Sequence, residues 1–76
     1  MDCPVCGTAA ENVADRQWDG KTIRCTKCGT YDISGTVYDT GALRKLSPDE
    51  RLRVLNKAKY MAGAKRPMIT SYVISN

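Results

Sequence analysis

A chain of 76 residues is long enough for one compact unit, but at this size a hydrophobic core alone gives marginal stability. The longest apolar runs are a few residues, and no apolar signal segment is visible, which argues against a membrane-spanning or secreted protein and leads us to expect a cytoplasmic one. The formal net charge of +4 is uneven, because residues 1–38 carry five acidic and four basic side chains whereas residues 39–76 carry three acidic and eight basic ones.

Two cysteine pairs lie in the first half, Cys3-Pro4-Val5-Cys6-Gly7 and Cys25-Thr26-Lys27-Cys28-Gly29, with 18 residues between them. In a C-x-x-C loop two thiolates can bind one ion, and the glycine that follows can adopt the positive φ of a tight turn. Two such loops at this separation are typical of a zinc site. The chain has no histidine, so a four-cysteine site would have no open position for water or substrate. We predict one structural Zn²⁺ bound by Cys3, Cys6, Cys25 and Cys28.

Three other interpretations of the cysteines are less favoured. Disulfides are typical of small secreted domains, and no signal segment routes this chain to an oxidising compartment. A rubredoxin-like iron site would use the same two loops, although this chain has one Trp and no Phe for the aromatic shell expected around such a centre. A thioredoxin-type redox motif needs a C-x-x-C near a βαβ pattern, which the sequence lacks.

Between the two cysteine pairs, Asp19-Gly20 is a strong signal for a type I′ hairpin that joins strands at 13–18 and 21–24. A two-residue loop sets the register of the strands. The predicted pairs are Trp18 with Lys21, Arg16 with Ile23 and Ala14 with Cys25. Trp18 would then cover the metal site as part of a small core, and Tyr31 and Tyr38 are also assigned to the core. A third strand is predicted over 30–34, ending at Gly35.

The second half begins with a weak helix signal over Thr40–Leu46 and then a strong one. Ser47 suits an N-cap, Pro48 suits N1, and Glu50 at N3 completes a capping box, so we predict a helix from Pro48 to about Ala62. Its predicted apolar stripe is Val54, Leu55, Ala58, Met61 and Ala62, with Arg53, Lys57 and Tyr60 on the opposite side. The β-branched, alternating residues 68–74 predict a final strand.

These elements predict a small α+β, metal-stapled domain. It comprises a zinc ribbon of three short antiparallel strands over residues 1–36, and a helical segment with a C-terminal strand over residues 37–76 that packs on the ribbon as one unit. The two cysteine loops resemble the zinc-ribbon superfamily, and the stretch Cys25–Gly35 is similar to ribbons at the start of small bacterial and phage proteins. The resemblance covers about half the chain and implies the ribbon fold and the four metal ligands. It implies little about activity, because one fold serves many functions.

Two functions follow from the charge distribution and the size of the chain. Four thiolates on one Zn²⁺ add two negative charges, which brings the first half to about −3, so an acidic partner should meet the second half. The first hypothesis is a non-catalytic module that binds nucleic acid without sequence specificity, or a complex that processes nucleic acid. The alternative is a phage or mobile-element inhibitor of host defence, of the anti-CRISPR kind, that acts by protein docking. The candidate partner-binding residues are Arg53, Lys57, Tyr60, Lys65, Arg66 and Tyr72.

An enzyme is the least favoured interpretation of this sequence. It contains no histidine, no paired carboxylates placed to converge and no phosphate-binding loop. We therefore expect no catalytic residues and no small-molecule substrate.

Overall fold

The computed structural model describes residues 1–13 and 20–75 and shows a small α+β fold. Four strands form one sheet in the order β1-β2-β3-β4, and three helices follow or interrupt them. The strands are β1 Ala10–Asn12, β2 Lys21–Cys25, β3 Gly29–Ile33 and β4 Met68–Ile69. The helices are α1 Gly35–Thr40, α2 Pro48–Ala62 and α3 Ser71–Ser75. None of the helices in these two ranges is long and apolar enough to cross a lipid bilayer.

The first three strands are antiparallel, and the predicted third strand is present as β3. Strand β2 turns into β3 within the second cysteine loop, where Cys25 pairs with Gly29. On the same face Ile23 pairs with Tyr31, and both side chains are fully buried. The assignment of Tyr31 to the core is therefore correct.

The predicted register of the first hairpin is wrong at its described positions. Cys25 pairs with Ala10 rather than Ala14, and Ile23 pairs with Asn12 rather than Arg16. A shift of four residues in an extended strand is about 13 Å. Pairing at Ala10 brings the residues that directly follow the first cysteine loop against Cys25 of the second. The predicted Trp18–Lys21 pair and the role of Trp18 lie outside the described residues.

Helix α2 is confirmed with the predicted bounds. The Ser47 side chain accepts a hydrogen bond from the Glu50 backbone N–H at 3.2 Å, and the Glu50 carboxylate accepts one from the Ser47 N–H at 3.3 Å. This capping box satisfies two backbone donors that a helix start would otherwise leave unpaired. The predicted apolar stripe is correct for Val54, Leu55 and Ala58, which are buried, whereas Met61 is 62% exposed in the last turn.

A shorter helix precedes α2, at a different place from the predicted Thr40–Leu46. Ser34 caps α1 by accepting a hydrogen bond from the Val37 N–H, and Gly41 ends the helix at a φ of 69°. Gly41 thus lies at the end of a helix instead of inside one, as its freedom at positive φ favours.

The C-terminal strand is shorter than predicted. Strand β4 has two residues, pairs in parallel with β3 and is followed by α3. The Ser34 N–H donates to the Ile69 carbonyl at 3.0 Å, and beyond Ser34 the chain has already turned into α1. A longer β4 would therefore lack a partner on that side. Helix α3 satisfies its backbone locally instead, with the N–H groups of Val73 and Ile74 both donating to Thr70.

Seven buried apolar residues come from each side of Ser34, and they form one cluster. From residues 1–33 they are Cys3, Val5, Ile23, Cys25, Cys28, Tyr31 and Ile33, and from residues 35–75 they are Val37, Leu43, Val54, Leu55, Ala58, Ile69 and Val73. Strand β3 therefore begins beside the second cysteine loop and pairs with β4 at its other end.

Candidate metal centre

The first cysteine loop is closed by two backbone hydrogen bonds. The Cys3 N–H donates to the Thr8 carbonyl at 2.7 Å, and the Gly7 N–H donates to the Cys3 carbonyl at 2.8 Å. Gly7 has a φ of 78°, a conformation that L-residues with a side chain rarely adopt. The chain is thereby folded back so that Cys3 and Cys6 both point to the same region as the second loop.

The second loop is the turn between β2 and β3. Cys25 is the last residue of β2, and Gly29, with a φ of 83°, is the first of β3. The Cys28 N–H lies 3.5 Å from the Cys25 Sγ, so the backbone donates toward the sulfur. Strand β1 joins the two loops, because Ala10, just after the first loop, pairs with Cys25.

The four sulfur atoms lie within 4.8 Å of one another. Across the two loops, the Sγ atoms of Cys3 and Cys28 are 3.9 Å apart and those of Cys6 and Cys25 are 3.5 Å apart. Four thiolates around one Zn²⁺ at a Zn–S distance of about 2.3 Å would be separated by about 3.8 Å along each tetrahedral edge. All four cysteines are free thiols. The cluster can therefore hold one metal ion, and its spacing fits four thiolate ligands.

Tyr31 contributes a polar contact to this cluster that sequence analysis missed. Its hydroxyl lies 2.9 Å from the Cys3 Sγ. Burial and this sulfur contact raise the pKa of Tyr31 well above its usual range, so the hydroxyl keeps its proton and can donate to a Cys3 thiolate. Strand alternation is the sequence signal that could have found this contact, because Tyr31 pairs with Ile23 on the face of the sheet that also carries Cys25.

The protonation of the thiols differs across the cluster when no metal is bound. A hydrogen bond with the Thr8 side chain lowers the pKa of Cys6 to about 6, and Cys6 is the exposed member of the four. Burial raises the pKa of Cys28, with further contributions from the neighbouring Cys6 and Cys3. Without a metal, Cys6 therefore ionises more readily than Cys28, whose deprotonation near neutral pH needs a bound cation.

The predicted partner-binding residues lie on α2 and in the segments after it. Tyr60 is 89% exposed and Tyr72 is 79% exposed, and Arg53 and Lys65 are also exposed. Lys57 is half-buried and lines a groove between α2 and α3 together with Arg53, Val73 and Ile74. Their role in binding a partner stays a prediction.

Arg66 has an internal contact that the sequence did not indicate. Its Nε donates to the Asp32 carboxylate at 2.9 Å, and the Thr22 hydroxyl donates to the same carboxylate at 2.6 Å. Asp32 is 8% exposed, so both donors compensate a largely desolvated charge. The Arg66 side chain thus links the segment after α2 to strand β3.

Beyond Glu50 the chain has no acidic residue. Six basic residues follow, and two of them already serve the fold, because Arg51 donates to the carbonyls of Leu43 and Leu46 and Arg66 to Asp32.

No family model, no curated protein and no solved structure matches this chain.

Proposed function

We propose that residues 1–36 form a zinc ribbon in which Cys3, Cys6, Cys25 and Cys28 hold one structural Zn²⁺. The spacing of the four sulfur atoms supports a tetrathiolate site, and three of the four cysteines are buried. A bound Zn²⁺ would crosslink the two cysteine loops and neutralise part of their charge. Iron could use the same four ligands, so metal analysis of the purified chain is the test: zinc at about one per chain supports the proposal, and iron with visible absorption contradicts it.

The proposed function of the whole chain is that of a non-catalytic module that binds nucleic acid, or a complex that processes nucleic acid, through its second half. The observation that carries this proposal is the acid-free stretch after Glu50, in which Arg53, Lys59 and Lys65 are exposed and so is the ring of Tyr60. Cations grouped on one segment attract a polyanion and raise its association rate.

The acidic first turn of α2 argues against base-specific recognition by this helix. Asp49 and Glu50 occupy its first turn, and both are exposed. Phosphates would be repelled there, where a recognition helix in a major groove usually presents donors to base edges. Binding should therefore be independent of sequence and sensitive to salt.

A second function, docking to a protein, has an observation of its own. Several large apolar or aromatic side chains in the second half are exposed, and such residues are enriched at protein interfaces. They are Leu52, Tyr60, Met61, Met68 and Tyr72. Exposed side chains of this kind would suit an inhibitor that covers a partner, as small anti-defence proteins of phages and mobile elements do.

A charge-matched pair of variants separates the two functions. In the first variant Arg53, Lys59 and Lys65, which are all exposed, are changed to Gln; Arg66 is left intact because it bonds Asp32. In the control Lys27, Arg44 and Lys45, which are exposed and lie before α2, are changed to Gln and give the same loss of charge. A pull-down with each zinc-loaded protein is run with and without nuclease and at low and high salt.

If the partner is nucleic acid, the first variant should lose most of its binding, the control should lose little, and nuclease or high salt should abolish capture by the unchanged chain. A complex that survives nuclease and high salt, and that is lost on changing Tyr60 or Tyr72 to Ala, would favour protein docking. Equal losses in both variants would contradict the assignment to the second half.

A further inference from the structure

One side of α2 combines exposed cations with an exposed aromatic ring. Arg53, Asn56 and Tyr60 follow one another at intervals of three and four residues and therefore share one side of the helix, turned away from the buried Leu55. Lys59 is also exposed and lies next to Asn56 on the helix surface, because it follows Asn56 by three residues. We call Arg53, Asn56, Lys59 and Tyr60 the α2 outer face.

The α2 outer face is short and is bounded by carboxylates at one end. From Arg53 to Tyr60 the helix rises about 10 Å, at 1.5 Å per residue. Asp49 lies four residues before Arg53 on the same side and is exposed. Phosphates can therefore be accommodated along roughly two turns, from Arg53 onward, but not at the helix start.

The exposed ring of Tyr60 favours single-stranded over double-stranded nucleic acid. It is 89% exposed, so either face of the ring is open to a planar partner. In a single strand the bases can leave their stack and lie against an aromatic ring, and this contact does not depend on the base. In a duplex the bases are already stacked and paired, so an exposed tyrosine on a helix surface gains little from them. A duplex would also bring its phosphates against Asp49 and Glu50.

We propose that the α2 outer face binds a short stretch of single-stranded nucleic acid, with Tyr60 stacking on a base and Arg53 and Lys59 contacting the adjacent phosphates. This inference rests on the proposed nucleic-acid function and narrows it to single strands. Asn56, between Arg53 and Lys59 on the helix surface, can donate to a phosphate or to a base edge. Stacking supplies the preference for single strands, and the cations supply the salt dependence.

The test is fluorescence anisotropy with the zinc-loaded full chain. The probes are an oligothymidylate and an oligouridylate of about 12 nucleotides, within the range of known single-strand sites, and a DNA duplex of the same length. We expect both single strands to bind at least about tenfold more tightly than the duplex. Tyr60→Ala should weaken single-strand binding about tenfold, and Tyr60→Phe should restore it.

Met61→Ala is the matched control, because Met61 is the neighbouring residue, is 62% exposed and lies off the α2 outer face. It should change affinity less than about twofold. Zinc content and circular dichroism of each variant establish that the fold is intact. Equal affinity for duplex and single strands, or an unchanged affinity in Tyr60→Ala, would overturn this inference while leaving nucleic-acid binding in place. Absence of binding to all three probes would overturn both the inference and the proposed function.

Discussion

The buried cluster has a different composition on the two sides of Ser34. Three of the seven buried apolar residues before Ser34 are cysteines from the candidate metal centre, whereas all seven after it are aliphatic. Helix α2 in the second part has a capping box and buries Leu55 completely. The first part has three-residue and five-residue strands and two tight loops. From this comparison we expect the first part to depend on bonds to a metal ion and the second on aliphatic packing and helix capping.

The two parts are nevertheless connected through one strand. Strand β3 has Tyr31 beside the Cys3 sulfur, Asp32 bonded to Arg66, and Ile33 paired with Ile69 of β4. A change in either part can therefore reach the other through three consecutive residues. Metal removal and substitutions on either side of Ser34 test how far the two parts depend on each other.

Metal removal should have the largest effect. A strong chelator, or Cys28→Ser, should abolish the dispersed NMR spectrum of the whole chain, because the two cysteine loops then lose the ion that joins them and the short strands alone bury little area. Helix α2, at 15 residues, is marginal once its packing is lost. The measurement is a two-dimensional NMR spectrum with zinc analysis. A metal-free chain that retains sharp, dispersed signals would show that the metal is not needed for the fold.

A core substitution in α2 tests the aliphatic part with the metal in place. Leu55→Ala should lower the free energy of unfolding by about 2–5 kcal/mol, because Leu55 is fully buried and its removal leaves a cavity. Leu52→Ala, on the same helix but at a residue 49% exposed, is the control and should change it by less than about 0.5 kcal/mol. Denaturant unfolding at fixed zinc concentration gives both values. Similar losses in the two variants would contradict the observed burial.

The Asp32–Arg66 contact should matter more than an exposed ion pair. Asp32→Asn should cost about 1–3 kcal/mol, because it removes the charge that Arg66 and Thr22 both satisfy in a largely buried position. The control is Glu11→Gln, which removes the exposed pair between Glu11 and Arg24, and should cost about 0–1 kcal/mol. Both losses come from denaturant unfolding, and an equal cost would mean that Asp32 does not join the two parts.

The capping box gives the smallest predicted effect. Ser47→Ala should cost on the order of 1 kcal/mol, because the Glu50 N–H at the helix start loses its acceptor. The same unfolding experiment at fixed zinc measures it, with loss of zinc content excluded for the variant. If stability does not change, the Ser47 hydroxyl does not cap α2 in solution.

Local signals account for what could be predicted from the sequence. Each cysteine loop with its glycine spans five residues, and Ser47, Pro48 and Glu50 lie within four, so backbone geometry and capping chemistry alone identify them. The bounds of α2 and the proximity of the four cysteines were predicted on this basis. The register of the first hairpin was mispredicted because it was inferred from a local turn signal alone.

Tertiary contacts decided the remaining features. Residues 68–74 have strand propensity, but the strand ends at Ile69 because β3 has turned into α1 by Gly35 and offers no further backbone groups. Asp32 and Arg66 are 34 residues apart and meet because β4 runs parallel to β3. Sequence by itself determined the local turns, caps and candidate ligands, since each depends on neighbouring residues. Strand length, strand register and the Asp32–Arg66 pair depend instead on which distant segments of the chain lie side by side. Only the tertiary structure decides that.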